Sequence, residues 1–151
     1  MFGAERVVLQ AQSRQEKLAS LARLLARVDR IEIRVRKMDL QTVVELAVRW
    51  WNSRKRENGT WANHRRVTLV SDQDILDRVT VNFIRHNLTE YDTLVAQFVG
   101  KPGQITTARR LRSRVLAAIG LAYPTLADEC KRQADDRYSR DENRMRQWRK
   151  N

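Results

Sequence analysis

Apolar side chains recur at intervals of three and four residues through most of this 151-residue chain, and this spacing constrains the fold more than any other feature. Such spacing places apolar residues along one face of an α-helix, which is then buried against neighbouring elements. Only five glycines and two prolines are present to make turns, so long helices are favoured over a many-turned β-sandwich or barrel. The sequence therefore predicts an all-α bundle of about five to six helices in one domain, residues 1–151.

The longest predicted element is an N-terminal helix over residues 8–38. Its apolar stripe consists of Leu18, Leu21, Leu25, Val28, Ile31, Val35 and Met38. At 1.5 Å per residue this stripe extends about 30 Å, which is long for a helix that only covers a domain of this size. We therefore expect the helix to take part in assembly with other subunits or with further copies of the chain. A coiled coil in a scaffold protein is one alternative.

The predicted bundle, residues 39–148, takes its boundaries from capping residues and helix breaks. The expected N-caps are Asp39, Ser71, Thr89 and Thr125, and each of the last three is followed three residues later by an aspartate. The expected stops are Asn58 with Gly59, the Gly-Lys-Pro-Gly run at residues 100–103, and Pro124. Residues 90–99 form either a new helix or a kinked continuation, and residues 67–70 predict a short extended piece. The helix over residues 105–122 should bury Ile105, Ala108, Leu111, Val115, Ile119 and Ala122.

The chain is strongly basic, with 30 Lys and Arg residues against 18 Asp and Glu, a net charge of +12 and a pI near 10.9. Most of the basic residues are arginines, whose planar guanidinium matches the geometry of a phosphate group. A domain this basic has the electrostatic character of a nucleic-acid-binding protein. The alternatives are a protein that docks on anionic lipid and a basic protein with no polyanionic partner.

Two segments concentrate the positive charge and supply the candidate phosphate-binding residues. Residues 93–127 contain five basic residues and no acid, namely Lys101, Arg109, Arg110, Arg112 and Arg114. Residues 49–66 contain a single acid, and their candidates are Arg54, Lys55, Arg56, Arg65 and Arg66. Trp61 lies among the latter and could stack on unpaired bases, whereas Trp50 and Trp51 follow an apolar face, and one or both are assigned to the core. An ordinary solvated helix face is the alternative interpretation of both segments.

The residue types needed for catalysis or metal binding are scarce. Two histidines and one cysteine do not provide a zinc ligand set, and neither a phosphate-binding glycine loop nor a nucleophile motif is present. His86 follows the apolar face of its helix, without an arginine at the spacing of an Arg-x(4–6)-His ribonuclease pair. We interpret it as a buried, hydrogen-bonded core residue. The sequence therefore predicts a protein without catalytic activity, cofactor or metal.

The cellular setting is predicted from the single cysteine, Cys130, which cannot form an internal disulfide and suits a reducing compartment. No apolar run approaches the ~20 residues that cross a bilayer, and the first residues lack a signal-peptide pattern. We therefore expect a cytoplasmic protein that does not enter a membrane.

Three strings in the second half resemble a known family. They are VNFIRHNLTEYD at residues 81–92, FVGKPG at residues 98–103 and YPTLADEC at residues 123–130. They look like the C-terminal helical region of large subunits in Cascade-like, type I-D CRISPR effector complexes, a region that is also made as a separate small subunit. The resemblance covers roughly residues 75–134.

The resemblance implies an architectural subunit without catalytic residues. Several copies would line the crRNA-bearing backbone of the complex beside its large subunit, and hold the guide–target duplex or the displaced DNA strand. The competing prediction is a free-standing helical DNA-binding regulator of plasmid or phage origin, in which the helix over residues 105–122 or the one after Pro124 enters a major groove.

Overall fold

A computed structural model describes residues 2–53 and 66–135 of the chain, with side chains from residue 13 onward. The described residues form an all-α bundle, which confirms the predicted fold class. Its helices are α1 (Phe2–Arg30), α2 (Leu40–Asn52), α3 (Gln73–Asn87), α4 (Tyr91–Ala96), α5 (Gln104–Ala122) and α6 (Ala127–Ala134), with a 3₁₀ turn at Pro124–Leu126. Within this part of the chain, no helix is both long and apolar enough to cross a membrane.

Helix α5 is the centre of the bundle and contacts α1, α3, α4 and α6, while α2 packs on α3. Leu111, Val115 and Ile119 of the predicted α5 stripe are completely buried, as is Ile84 on α3. Ile105 and Ala122, at the two ends of the stripe, are half-buried. Because a packed interior relaxes poorly around a missing side chain, truncating Leu111, Ile119 or Ile84 to alanine costs on the order of 2–5 kcal/mol of stability.

The N-terminal helix ends at Arg30, eight residues before the predicted end. Ile31, Ile33 and Val35 are half-buried while Glu32 and Arg34 between them are exposed, a period of two that is typical of extended chain. The β-branched side chains at the three inward positions favour this conformation. Ile31 and Val35 also fit a helical period, which is why their spacing alone suggested a longer helix.

Long-range hydrogen bonds fix this extended segment, residues 31–39, to the bundle. The Arg36 backbone N–H donates to the Leu88 carbonyl at 2.8 Å. The Met38 backbone N–H donates to the Tyr123 hydroxyl at 2.8 Å, and that hydroxyl donates to the Met38 carbonyl at 3.1 Å. These bonds satisfy backbone groups that a helix would have paired internally.

One of the four predicted N-caps is confirmed by a side-chain hydrogen bond. The Asp39 carboxylate accepts from the Thr42 backbone N–H at 3.2 Å, so α2 begins as expected. Ser71 and Thr125 are not N-caps, because α3 is preceded by Asp72 and α6 by Leu126.

The hydroxyls of Ser71 and Thr89 make other local bonds. Ser71 accepts from the Thr68 backbone N–H at 3.0 Å and closes a turn before α3. The Thr89 hydroxyl donates to the Arg85 carbonyl and accepts from the Tyr91 N–H, although Glu90 occupies the cap position of α4. Helix α4 is therefore a new helix. These serine and threonine hydroxyls were correctly placed near helix starts but serve turns and neighbouring backbone groups.

The predicted extended piece at residues 67–70 is instead one anchored residue followed by a turn. Val67 is buried, and its backbone N–H and carbonyl both bond the side-chain amide of Asn52, at 3.0 and 2.7 Å. The predicted stop at Asn58 and Gly59, and the end of the last helix toward Trp148, lie outside the described residues.

The turn at residues 100–103 forms as predicted and packs against α1. Gly100 and Gly103 have φ values of 78° and 77°, in the left-handed region that glycine adopts without strain. A Cβ atom at Gly103 would lie 2.8 Å from Leu21 Cδ1 on α1. The turn thus brings Lys101 into a groove beside Leu21 of α1.

Candidate nucleic-acid interface

Two of the predicted phosphate-binding arginines on α5 instead contact the end of α1. Arg110 Nε lies 3.6 Å from Asp29 Oδ1, and the Arg114 guanidinium donates to the Val28 carbonyl. Carbonyls in the last turn of a helix lack the N–H partner four residues on, and the Val28 carbonyl also accepts from the Ile31 backbone N–H at 3.1 Å. A cation there interacts favourably with the helix dipole. Arg114 is half-buried, and its role is to hold α1 onto α5.

The other candidate residues, on α5 and in the turn before it, differ in how far they are buried. Arg112 is only 3% exposed, which removes it from the predicted surface and corrects its assignment as a phosphate-binding residue. Arg112 lies four residues after the buried Ala108 and three before the buried Val115, so it follows the buried face of α5. Arg109 and Lys101 are exposed, as predicted.

The second predicted segment is described only at its end. Arg66 is exposed. Arg54, Lys55, Arg56, Trp61 and Arg65 lie outside the described residues. Trp50 and Trp51 are half-buried against the core, in agreement with their assignment there.

The structure adds cations from α1 that the sequence interpretation did not select. Lys17, Arg23 and Arg27 line the same groove as Lys101, which is more than seventy residues away in sequence. Arg30, also exposed, follows Asp29 at the contact with Arg110. The recurrence of cations at three- and four-residue intervals along α1 was the available signal. Which α5 residues they would join depends on how α1 packs, which the sequence does not reveal.

Together these residues form a basic side of the molecule, made by residues 16–30 of α1, the turn at residues 100–103 and the first half of α5. Its exposed cations are Lys17, Arg23, Arg27, Arg30, Lys101, Arg109 and Arg110, and its acids are Glu16 and Asp29. In contrast, exposed acids gather where α3 and α4 begin, at Asp72, Asp74, Glu90 and Asp92. The helix dipole favours acids at helix starts, so their position has a structural cause.

The groove within the basic side also has an apolar component. It lies between α1 and residues 100–104 and has a volume of about 1420 Å³. Leu21, Leu24 and Pro102 contribute to its lining, together with Leu18, whose surface is 66% exposed. Cationic and apolar side chains therefore lie next to each other along one face of α1.

His86 is hydrogen-bonded, as predicted, but it is half-buried rather than buried, with a side chain that is 24% exposed. Nδ1 lies 2.7 Å from Asp92 Oδ1, and Nε2 lies 3.3 Å from Arg85 Nη2. A guanidinium only donates, so Nε2 accepts and the neutral ring carries its proton on Nδ1, donating to Asp92. The ring centroid lies 6.1 Å from those of Trp50 and Tyr91.

This arrangement gives His86 a structural role, since both ring nitrogens are occupied by neighbouring side chains. Within residues 13–53 and 66–135, no group of three or more His, Cys, Asp and Glu residues is placed to hold a metal ion. Cys130 is buried beside α5, and burial, followed by the nearby Glu129 carboxylate, raises the pKa of its thiol to about 11.

No protein-family model, curated protein or solved structure matches this chain.

Proposed function

We propose that this protein binds nucleic acid through its phosphate groups and acts as a non-catalytic structural subunit of an RNA-guided, CRISPR-type interference complex. The observation that carries the nucleic-acid part is the basic side, where seven exposed cations accompany two acids. The complex is proposed from the resemblance of residues 75–134 to subunits of Cascade-like assemblies. In that role the partners are crRNA, target DNA and the backbone and large subunits.

The physical basis of binding is the release of counterions from a phosphate backbone. Neighbouring like charges on a helix repel each other, and a solvated surface relieves this repulsion with interspersed acids. Here residues 104–122 contain four arginines and no acid, and Arg30 and Arg109 are both exposed. A polyanion placed across the junction would relieve the repulsion and gain the entropy of the released ions.

Binding of this kind does not require a particular base sequence. Phosphate contacts position a protein on nucleic acid, whereas base-edge contacts specify the site. The competing regulator would need a helix that can enter a major groove. Helix α5 is central in the bundle and has α1 against one side, and the described part of α6 comprises only eight residues. These features favour the architectural role.

A matched pair of double variants tests the proposed surface. Replacing Arg30 and Arg109 with alanine removes two cations from the basic side, while replacing Arg34 and Arg78 removes two exposed cations elsewhere. We expect the first variant to bind a mixed-sequence oligonucleotide more weakly, and its log–log salt slope to be shallower by about one unit per lost contact. The second variant should keep the wild-type slope. Equal slopes for both variants would exclude the α1–α5 junction as the binding surface.

A further inference from the structure

Among the side chains of α1 that the structure describes, residues 13–30, those that pack on the bundle begin at Leu21, and the groove between α1 and residues 100–104 is open. Residues 13–20 are all exposed, whereas Leu21, Leu24 and Leu25 are half-buried and Val28 is fully buried. The groove therefore leaves about four turns of α1, from Ser13 to Arg27, accessible along one edge.

The lining of this groove is amphipathic. Its apolar part consists of Leu18, Leu21, Leu24 and Pro102. Among the described residues, its charged part consists of the four cations Lys17, Arg23, Arg27 and Lys101, with one acid, Glu16. A ligand that matches both parts has an apolar face and carries carboxylates beside it.

We propose that the groove is a docking site for an acidic amphipathic helix of a partner protein. Helix-in-groove recognition uses apolar anchors spaced at i, i+3, i+4 and i+7, which here would pack against Leu18, Leu21 and Leu24. Glutamates or aspartates flanking those anchors would meet Lys17 on one wall and Lys101 on the other. The accessible length of α1 corresponds to about 20 Å, the length of a partner helix of about fourteen residues.

A nucleic-acid strand fits the groove less well than such a helix. Phosphates interact with the cations but leave the leucines uncovered. Unpaired bases are bound mainly by stacking on aromatic rings, and the described lining of the groove consists of aliphatic and polar side chains.

A second copy of this chain also fits poorly. A symmetric pairing brings the same patch of both copies together, so Lys17, Arg23 and Arg27 would face their own equivalents. The acidic start of α3 exposes Asp72 and Asp74, but the apolar residues Leu76, Val79 and Phe83 of that helix are buried in the bundle. The charges therefore favour a different protein as the occupant.

The test uses a designed fourteen-residue helical peptide with leucines at i, i+3, i+4 and i+7 and glutamates flanking them. A peptide of the same composition with a scrambled order is its control. A fluorophore attached to Ser20→Cys reports on the groove, and one attached to Ser113→Cys, an exposed α5 position outside the groove, is the matched control. Cys130 is buried and its thiol pKa is raised to about 11, so the introduced cysteine is labelled selectively at neutral pH.

We expect the patterned peptide to bind and to change the fluorescence at position 20 but not at position 113. Because Leu18 is 66% exposed, Leu18→Asn should leave the fold intact. It should weaken peptide binding by about tenfold, since most of a leucine's burial is lost. Lys101→Glu should weaken binding by a similar factor, while Leu18→Asn should leave oligonucleotide affinity unchanged.

Three results would overturn the proposal. The scrambled peptide could bind as well as the patterned one, which would mean that binding depends on net charge and not on an apolar helix face. The fluorophore at position 113 could respond like that at position 20. Leu18→Asn could weaken oligonucleotide binding as much as peptide binding, which would make the groove a nucleic-acid site.

Discussion

His86 is held by side chains from α2, α3 and α4. Trp50 packs against its ring, Asp92 accepts from Nδ1, and Arg85 lies 5.2 Å from the centroid of the Tyr91 ring beside it. The sequence indicated that this histidine belongs to the core side of α3 because of its spacing from Val79 and Phe83. The sequence did not identify Asp92 as its partner, because that contact depends on the turn between α3 and α4.

Replacing His86 with alanine should lower the free energy of unfolding by about 1–3 kcal/mol, through the lost hydrogen bond and ring packing. Chemical denaturation of the variant, with Asp74→Ala as a surface control, measures the effect. Oligonucleotide affinity of the folded protein should not change. A variant of wild-type stability with altered nucleic-acid cleavage would instead make His86 part of an active site.

The Cys130 thiol predicts a pH dependence of stability in the alkaline range. Its pKa is about 11 in the folded protein against an ordinary value of 9.0, so the folded state holds the proton more tightly than the unfolded state. Stability from this group is therefore fully present below pH 9 and is lost as the pH rises toward 11. We expect unfolding midpoints to fall more steeply between pH 8 and 10.5 for the wild type than for Cys130→Ala. Parallel curves would contradict this role.

At the scale of elements, the conformation of the segment between α1 and α2 could not be predicted from the spacing of its apolar residues. The spacing of Ile31, Val35 and Met38 fits a helix, and the alternation from Ile31 to Val35 fits an extended chain. Tyr123 stabilises the extended conformation, because its hydroxyl hydrogen-bonds the backbone N–H and carbonyl of Met38, 85 residues away in sequence. Short-range patterns therefore identified α2, α3 and α5 well, whereas the end of α1 depended on a tertiary contact.

Tyr123→Phe tests this tertiary contact with a minimal change. The ring remains, but the hydroxyl and its two hydrogen bonds are lost, so we expect a destabilisation of about 1–3 kcal/mol. Hydrogen exchange of the Met38 amide should accelerate relative to the Leu111 amide in the core. Unchanged protection of Met38 would mean that the hydroxyl does not hold the segment.

The α1–α5 contact supplies a second prediction at this scale. Arg114→Ala removes the donor to the Val28 carbonyl and should increase hydrogen exchange in the last turn of α1. Arg78→Ala, which removes an exposed arginine from α3, is the matched control and should leave that exchange unchanged. The same exchange rates in both variants would contradict the helix-holding role of Arg114.

At the scale of the whole molecule, the net charge of +12 predicted a polyanionic partner, and the fold determines how part of that charge is grouped. The basic residues of the acid-free segment, residues 93–127, do not form the single surface that was predicted, since Arg112 is buried and Arg114 holds α1. Cations of α1 take their place beside Lys101 and Arg109. The polyanionic partner remains a prediction from composition, whereas the grouping of side chains depends on the packing of α1 on α5.

Copy number along a nucleic-acid strand is a further prediction at this scale. If the protein lines an extended polyanion, several copies should bind one long strand, and tethering should raise the overall affinity through avidity. Sedimentation with oligonucleotides of increasing length measures the stoichiometry, with a single short strand as the reference. One copy per strand at every length would contradict the lining role.

The central claim, phosphate-directed binding, is tested most directly by the salt dependence of affinity for unrelated oligonucleotide sequences. We predict a linear fall of log K with log salt concentration, with the same slope and nearly the same affinity for every sequence. A preference for one short sequence that persists at high salt, or an affinity that does not respond to salt, would contradict the proposed function.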